Sequence, residues 1–186
     1  LSAVTAVNDE QKHRLFDKLS NYFNGDLRGK TVALWGLAFK PGTDDMREAP
    51  SRLLMEALWR QGGSVRAFDP HAMEATQSIY GVRDNLVLCG TKEAALRGAD
   101  VLVVCTEWKP FWSPNFSEIK AALTYPVIFD GRNLYDPKRL QEHGLQYFAI
   151  GRQNHLQRGE TAAGDQLANA SDTPVEIPKA DNIVLS

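Results

Sequence analysis

Two cations stand where they could bind a phosphorylated ligand. Lys40 comes shortly after the first short apolar run of the chain, and Arg132 follows the fifth. Ammonium and guanidinium groups make charge-assisted hydrogen bonds to phosphate oxygens. If both runs are strands of one parallel sheet, both cations lie at the edge where such sheets bind ligands. The alternative for each residue is an ordinary surface salt bridge.

The segment from Gly36 to Glu48 is long for a strand-to-helix connection, and long ordered loops are usually functional. It lies where a phosphate-binding loop would lie, ahead of a helix that Pro50 opens. However, it lacks the GxGxxG pattern, and Phe39 and Pro41 stand where a pyrophosphate needs bare backbone. The segment therefore predicts a ligand loop that differs from an ordinary dinucleotide-binding loop.

Two further charged residues at this edge have competing interpretations. Asp69 ends the second apolar run, where an acidic residue often binds a ribose, but it falls 33 positions after Gly36. About 20 positions is the usual separation. Arg47 has acidic neighbours at positions 44, 45 and 48, which favours a local ion-pair network over ligand binding.

The aromatic residues after the fourth run are also ambiguous. Trp108 could stack on a base or simply cover the sheet edge, and packing is the favoured interpretation. Phe111 and Trp112 suggest an apolar surface that contacts another subunit.

No arrangement of side chains predicts catalysis or metal binding by this chain. The histidines at 13, 71, 143 and 155 have neither metal-ligand spacing nor a Ser or Cys partner. Cys89 and Cys105 are too far apart for a CxxC motif and read as small buried thiols.

Six short apolar runs alternate with helical patterns, and this alternation predicts the fold class. Strands are predicted at Thr31–Trp35, Ser64–Phe68, Leu86–Leu88, Val101–Val104, Val127–Phe129 and Tyr147–Ile150. The helices between them cover both faces of a parallel sheet, joined by right-handed crossovers. The prediction is a Rossmann-like, doubly wound α/β domain with three layers, αβα.

We predict three parts in the chain. Residues 1–28 carry a helix that Asn8 caps and Gly25 ends, residues 29–152 form the α/β domain, and residues 153–186 are a polar tail without apolar periodicity. The chain begins with Leu1 ahead of a helical pattern, which suggests a fragment of a longer protein.

Composition argues against two classes of partner. The 21 basic and 23 acidic residues give a net charge of −2 without a dense basic block, which disfavours nucleic acid. No apolar run approaches the roughly 20 residues that cross a bilayer, and the start lacks the pattern of a signal peptide. A cytoplasmic protein without a membrane partner is predicted.

The run from Gly36 to Ser51, Gly-Leu-Ala-Phe-Lys-Pro-Gly-Thr-Asp-Asp-Met-Arg-Glu-Ala-Pro-Ser, closely resembles the carboxyl-terminal UDP-binding domain of the UDP-glucose/GDP-mannose dehydrogenase family. Three other segments fit the same family in order: Val7–Lys12, Thr106–Trp108 and Phe129–Asp136. Ala-Phe-Lys-Pro and Thr-Glu-Trp look more like the UDP-glucose 6-dehydrogenase branch than the branches acting on GDP-mannose or UDP-N-acetylmannosamine.

The resemblance implies an enzyme that oxidises the C6 alcohol of UDP-glucose to a carboxylate with two NAD+, through a cysteine thioester. In the family, the NAD-binding domain and the nucleophilic cysteine lie upstream of this segment, so the chain alone is expected to be inactive. Phe39 and Lys40 match positions that contact the nucleotide sugar, and Arg132 matches one in the substrate site. Arg47 matches a position that reaches NAD across the interdomain cleft, so the resemblance favours contact with NAD over the ion-pair interpretation.

The resemblance also implies that the first helix is the end of a long central helix that pairs two subunits. Leu15, Phe16 and Leu19 are then expected to be exposed in this chain unless it forms a homodimer. A different class of function stays open: a free-standing Rossmann-like module that senses a mononucleotide or mediates assembly through the first helix.

Overall fold

The structure, a computed structural model, describes residues 13–150 and contains one six-stranded sheet in which every pairing is parallel. The strands are β1 (Thr31–Trp35), β2 (Ser64–Phe68), β3 (Leu86–Leu88), β4 (Val101–Val104), β5 (Val127–Asp130) and β6 (Gln146–Ala149). The predicted α/β class and parallel sheet are confirmed, and the strand bounds differ from prediction only in β5 and β6.

Helices connect the strands in the predicted alternation. They are α1 (residues 13–22), α2 (Pro50–Arg60), α3 (Met73–Tyr80), α4 (Lys92–Leu96), α5 (Phe116–Ala122) and α6 (Pro137–Glu142), with an unpredicted 3₁₀ turn at Lys109–Phe111. The side chains of Thr91, Asn115 and Asp136 accept backbone N–H bonds at the starts of α4, α5 and α6. In residues 13–150, no helix has the length and apolar character needed to cross a membrane.

The strand order β3-β2-β1-β4-β5-β6 creates a switch point between β1 and β4. The chain winds outward from β1 through β2 and β3, then returns to the other side of β1 as β4. The connections that leave β1 and β4 therefore run in opposite directions and leave a crevice at the carboxyl ends of the strands. This crevice is the edge at which the sequence predicted a ligand.

The central strands are buried because the sheet is covered on both faces. All four residues of β4 and all four of β5 are buried, and so are the last four of β1. By contrast, β2 buries only alternate residues. Continuous apolar runs are typical of parallel strands between two helical layers.

Helix α1 packs on the sheet of its own domain, so the expectation that its apolar face is exposed is wrong. Leu15 is 2% exposed and Leu19 is fully buried, while Phe16 is partly buried against the same core. Tyr22 adds a cluster of edge-on ring contacts with Phe23, Tyr125, Phe129 and Phe148, at centroid distances of 5.1 to 6.2 Å. The predicted Asn8 cap and the tail at 153–186 lie outside the described residues.

Replacing Leu19 with alanine tests whether α1 belongs to this core. A fully buried leucine leaves a cavity when truncated, so we expect Leu19→Ala to lower the free energy of unfolding by about 2–5 kcal/mol in urea titrations. The control is Ile79→Ala on α3, where the side chain is 42% exposed and the expected loss is about 0.5 kcal/mol. Equal losses in the two variants would contradict the packing of α1.

Candidate functional site

The structure brings the predicted site residues to the carboxyl edge of the sheet. Phe39, Lys40 and Arg47 lie in the connection from β1 to α2, and Arg132 lies just after β5. Phe39 and Arg47 line a common hollow of about 610 Å³ with three charged residues, Asp45, Glu48 and Arg52. Arg132 is not among the residues that line this hollow. Lys40 is exposed.

The start of the β1–α2 loop is fixed by hydrogen bonds from both sides. The N–H groups of Leu37 and Ala38 donate to one oxygen of Asp69, at 2.7 and 3.0 Å. The carbonyl of Leu37 accepts from the Ser51 hydroxyl at 2.6 Å, and that of Ala38 accepts from the Thr106 hydroxyl, also at 2.6 Å. The backbone N–H and carbonyl groups of Leu37 and Ala38, the residues that precede Phe39 and Lys40, are therefore all hydrogen bonded.

Asp69 joins three segments of the carboxyl edge. Its Oδ2 also accepts from the Trp108 indole at 2.9 Å, and its Oδ1 accepts from the N–H groups of His71 and Ala72 at 2.8 and 2.9 Å. The residue is only 1% exposed. The interpretation of Asp69 as a ribose ligand is therefore wrong, because its oxygens face N–H groups of its own chain.

Of the three aromatic residues after β4, two are buried in the domain and one is exposed. Trp108 is buried and stacks on the His71 ring, with centroids 4.9 Å apart and planes 5° apart, which confirms the packing interpretation. Phe111 is fully buried and stacks on Trp35, so it cannot contribute to an exposed subunit contact as predicted. Trp112, at 53% exposure, lies on the surface, and its indole donates to the carbonyl of Glu107.

Arg47 forms a local ion pair with Asp45. Its Nε and Nη2 donate to the carboxylate at 2.8 to 3.2 Å, and its backbone N–H donates to Oδ1 at 2.9 Å. These hydrogen bonds lower the pKa of Asp45 to about 2, with the side-chain bond as the largest cause. The carbonyl of Asp45 also accepts from the N–H of Phe39, and this backbone hydrogen bond closes the loop. The Arg47 side chain is nevertheless 86% exposed.

Arg132 is paired with Glu107, which the sequence placed at the same edge of the sheet but to which it assigned no role. Its Nη2 lies 2.6 Å from Oε1 of Glu107, and its Nε lies 2.5 Å from Oε2. Its backbone N–H donates to Asp130, a fully buried carboxylate that also accepts from the Leu134 N–H and the Tyr147 hydroxyl. The signal for both acids was their position at the carboxyl ends of strands: Glu107 lies shortly after β4 and Asp130 is the last residue of β5.

The two cysteines have the environment of structural thiols. Burial, and to a lesser extent the carboxylate of Asp130, raises the pKa of the Cys105 thiol to about 12. Burial also raises the pKa of Cys89. A nucleophilic cysteine needs an accessible thiolate, so neither residue is suited to covalent catalysis. In residues 13–150, His, Cys, Asp and Glu form no group of three or more suited to a metal ion.

The strand order, the crevice and the cation-bearing loops define a Rossmann-like domain with a ligand edge at its switch point. The UDP binding domain of the UDP-glucose/GDP-mannose dehydrogenase family matches residues 33–137, and the chain belongs to this family.

Named relatives agree with this assignment. The UDP-glucose 6-dehydrogenase of Pseudomonas aeruginosa is 50% identical over 155 residues, which are 82% of this chain and 34% of the relative. A UDP-glucose dehydrogenase from Pyrobaculum islandicum superposes with a TM-score of 0.65 at 28% identity, covering 79% of this chain and 31% of that one. An NDP-N-acetyl-D-galactosaminuronic acid dehydrogenase from Methanosarcina mazei superposes with a TM-score of 0.63 at 26% identity, covering 78% and 30%. The chain thus spans about a third of the length of these proteins.

Gly36 is the position where the loop tolerates no side chain. Its φ is +92°, and an added Cβ would lie 2.5 Å from the Cβ of Thr106. We expect Gly36→Ala to lower the free energy of unfolding by about 2–4 kcal/mol, because strain and a clash combine. Gly42 has a φ of +83° but open space around it, so Gly42→Ala isolates the conformational cost of about 1 kcal/mol. Equal losses in urea titrations would contradict the close contact with Thr106.

The Asp45 carboxyl provides a direct readout of the Arg47 ion pair. We expect NMR titration of its carboxyl carbon to give a pKa of about 2. In Arg47→Ala the pKa should rise towards the ordinary value of about 3.9. Because the folded-state pKa is depressed, the pair contributes to stability above the ordinary pKa, and this contribution is lost as the pH falls towards 2. An unchanged Asp45 pKa in Arg47→Ala would exclude the ion pair in solution.

Proposed function

We propose that this chain binds the UDP part of a nucleotide sugar, as a portion of an NAD-dependent UDP-glucose 6-dehydrogenase that produces UDP-glucuronate. The observation that carries the proposal is the family's UDP binding domain in this sequence, folded so that its Ala-Phe-Lys-Pro loop borders the switch point. The chain on its own is proposed to be inactive, since its two thiols are buried and protonated.

Lys40 and Arg132 are proposed to bind the diphosphate. A guanidinium carries five N–H donors in a planar fork, and in Arg132 Glu107 engages only the Nε and Nη2 side. Within residues 13–150 its other N–H donors have no hydrogen-bond partner, so they can bind an anion, with Lys40 as a second, exposed cation. Phe39, which is 41% exposed, supplies an apolar surface for the nucleotide. Glu107 limits the positive potential of the site while no anion is bound.

Arg47 is proposed to contact NAD. Its exposed guanidinium is held by Asp45 beside the hollow that Phe39 also lines, so it faces outward from this domain. The β1–α2 loop has Phe39 and Pro41 in place of a glycine-rich turn, which fits a cofactor bound mainly by another part of the protein. When bound, NAD would accept the hydride from the C6 carbon of the substrate.

The remaining predictions on architecture and assembly stay proposals. These are the division at residues 1–28, 29–152 and 153–186, and a homodimer formed through the first helix. Since Leu15 and Leu19 pack inward, such a dimer would use other faces of α1, including the exposed His13 and Asp17.

Calorimetric titration of the 186-residue chain with UDP tests the proposal. UDP and UDP-glucose should bind, whereas GDP-mannose and NAD should give no comparable heat. Lys40→Ala and Arg132→Ala should each weaken UDP binding about tenfold, because a hydrogen bond to a charged group contributes about 1.5–3 kcal/mol. The controls Lys120→Ala, within α5, and Arg97→Ala, just after α4, remove exposed cations, and should bind UDP normally.

Each other outcome has a definite meaning. Selective binding of GDP-mannose would assign the chain to the sister branch, and binding of NAD alone would restore the dinucleotide interpretation. A chain that binds none of the four would overturn UDP binding by this domain on its own. Normal UDP binding by both Lys40→Ala and Arg132→Ala would overturn the residue assignments.

A further inference from the structure

Asp69 is buried, lies at the ligand edge and has no role in the proposed contacts with UDP. Within the described chain it accepts five N–H hydrogen bonds, from Leu37, Ala38, His71, Ala72 and the Trp108 indole. All five partners are donors, so the group acts only as an acceptor, which is the chemistry of a carboxylate anion. Two of the donors immediately precede the proposed ligand residues Phe39 and Lys40.

The loop at this position has no regular secondary structure to fix it. The N–H of Gly36 still donates to the carbonyl of Phe68 in β2, but Leu37 and Ala38 lie outside any strand or helix. Asp69 holds the two N–H groups, while Ser51 and Thr106 hold the two carbonyls. We call this arrangement the Leu37–Ala38 clamp.

We propose that Asp69 is a positioning residue for the nucleotide site, which acts through the Leu37–Ala38 clamp to set the placement of Phe39 and Lys40. The inference rests on the proposed UDP binding and deepens it. In families with a glycine-rich loop, the loop backbone itself approaches the phosphates. Here side chains bind the ligand instead, and a buried anion orders the backbone that carries them.

The isosteric variant Asp69→Asn tests the role. An amide has one accepting oxygen and one NH₂ donor, so in either orientation the NH₂ group faces at least two N–H donors. We expect UDP affinity to fall at least about tenfold, since charge-assisted hydrogen bonds to the loop are lost. The matched control is Asp100→Asn, whose carboxylate accepts the N–H of Thr31 at 2.8 Å, at the opposite end of β1. It should bind UDP normally.

A double-mutant cycle separates positioning from a general loss of structure. If Asp69 acts through the loop that carries Lys40, Asp69→Asn should weaken UDP binding much less in a Lys40→Ala background than in the wild type. Full additivity of the two losses would overturn the positioning role. Normal UDP affinity in a folded Asp69→Asn variant would overturn it as well.

Thr106→Val is the second variant if Asp69→Asn does not fold. It releases the carbonyl of Ala38 and leaves the buried carboxylate in place, and UDP affinity should fall while the circular dichroism spectrum stays native. Unchanged affinity would overturn the clamp.

Amide exchange of the wild-type chain gives a check that needs no ligand: the N–H groups of Leu37 and Ala38 should be protected. Exchange as fast as at Gly42 would overturn the clamp. If the wild-type chain shows protected amides but does not bind UDP, the proposed function fails, and the positioning role fails with it. If it binds UDP and Asp69→Asn binds equally well, only the inference fails.

Discussion

Strand β1 is paired with β2 on one side and β4 on the other. This double pairing constrains the path of the loop that leaves β1 at the carboxyl edge of the sheet. Both faces of β1 are covered, so the chain that leaves it can only continue beyond the sheet, over the crevice at the switch point. The close approach of Gly36 to Thr106 shows how little space remains there. The loop that carries Phe39 and Lys40 is therefore placed by the sheet before any ligand is involved.

Buried acids give this edge its order. Asp69 follows β2 and Asp130 is the last residue of β5, and each accepts backbone N–H groups from a loop that carries a proposed ligand residue. A buried carboxylate is costly unless its oxygens are hydrogen bonded, and here N–H groups and the Tyr147 hydroxyl meet that need. The same bonds satisfy loop backbone groups that lack a partner in the sheet. Order in the loops and stability of the buried charges thus depend on each other.

The exposed charges follow a different rule. Arg47 and Arg132 each have a carboxylate partner close by, in Asp45 and Glu107. Exposed ion pairs contribute little to stability, so their main consequence is geometric: each pair holds a long side chain in a defined direction. These pairs keep the local excess of positive charge small, in keeping with the near-balanced composition of the chain.

Much of this was accessible from the sequence. Apolar runs bounded by turn residues predicted the first and last residues of β1, β2, β3 and β4 correctly, because buried parallel strands are short, continuous apolar runs. The Gly36–Ser51 run indicated the family and the ligand loop. The predicted bounds of β5 and β6 were wrong by one residue, since Asp130 ends β5 as a polar residue and Gln146 begins β6. Assignment of exposure failed for Leu15, Leu19 and Phe111, because an apolar residue reads the same whether it packs on its own domain or on a partner.

The sequence by itself determined the order of the elements, the parallel sheet and the residue types at its ligand edge, because periodicity and turn chemistry are local properties of the chain. Only the tertiary structure decided what each polar group at that edge does. Asp69 and Leu37 are 32 positions apart, and Glu107 and Arg132 are 25 apart. No local sequence pattern predicts that Asp69 is buried against five N–H donors while the half-buried Glu107 pairs with an arginine. Those assignments depend on which loops the sheet brings together, and that is a consequence of strand order and packing.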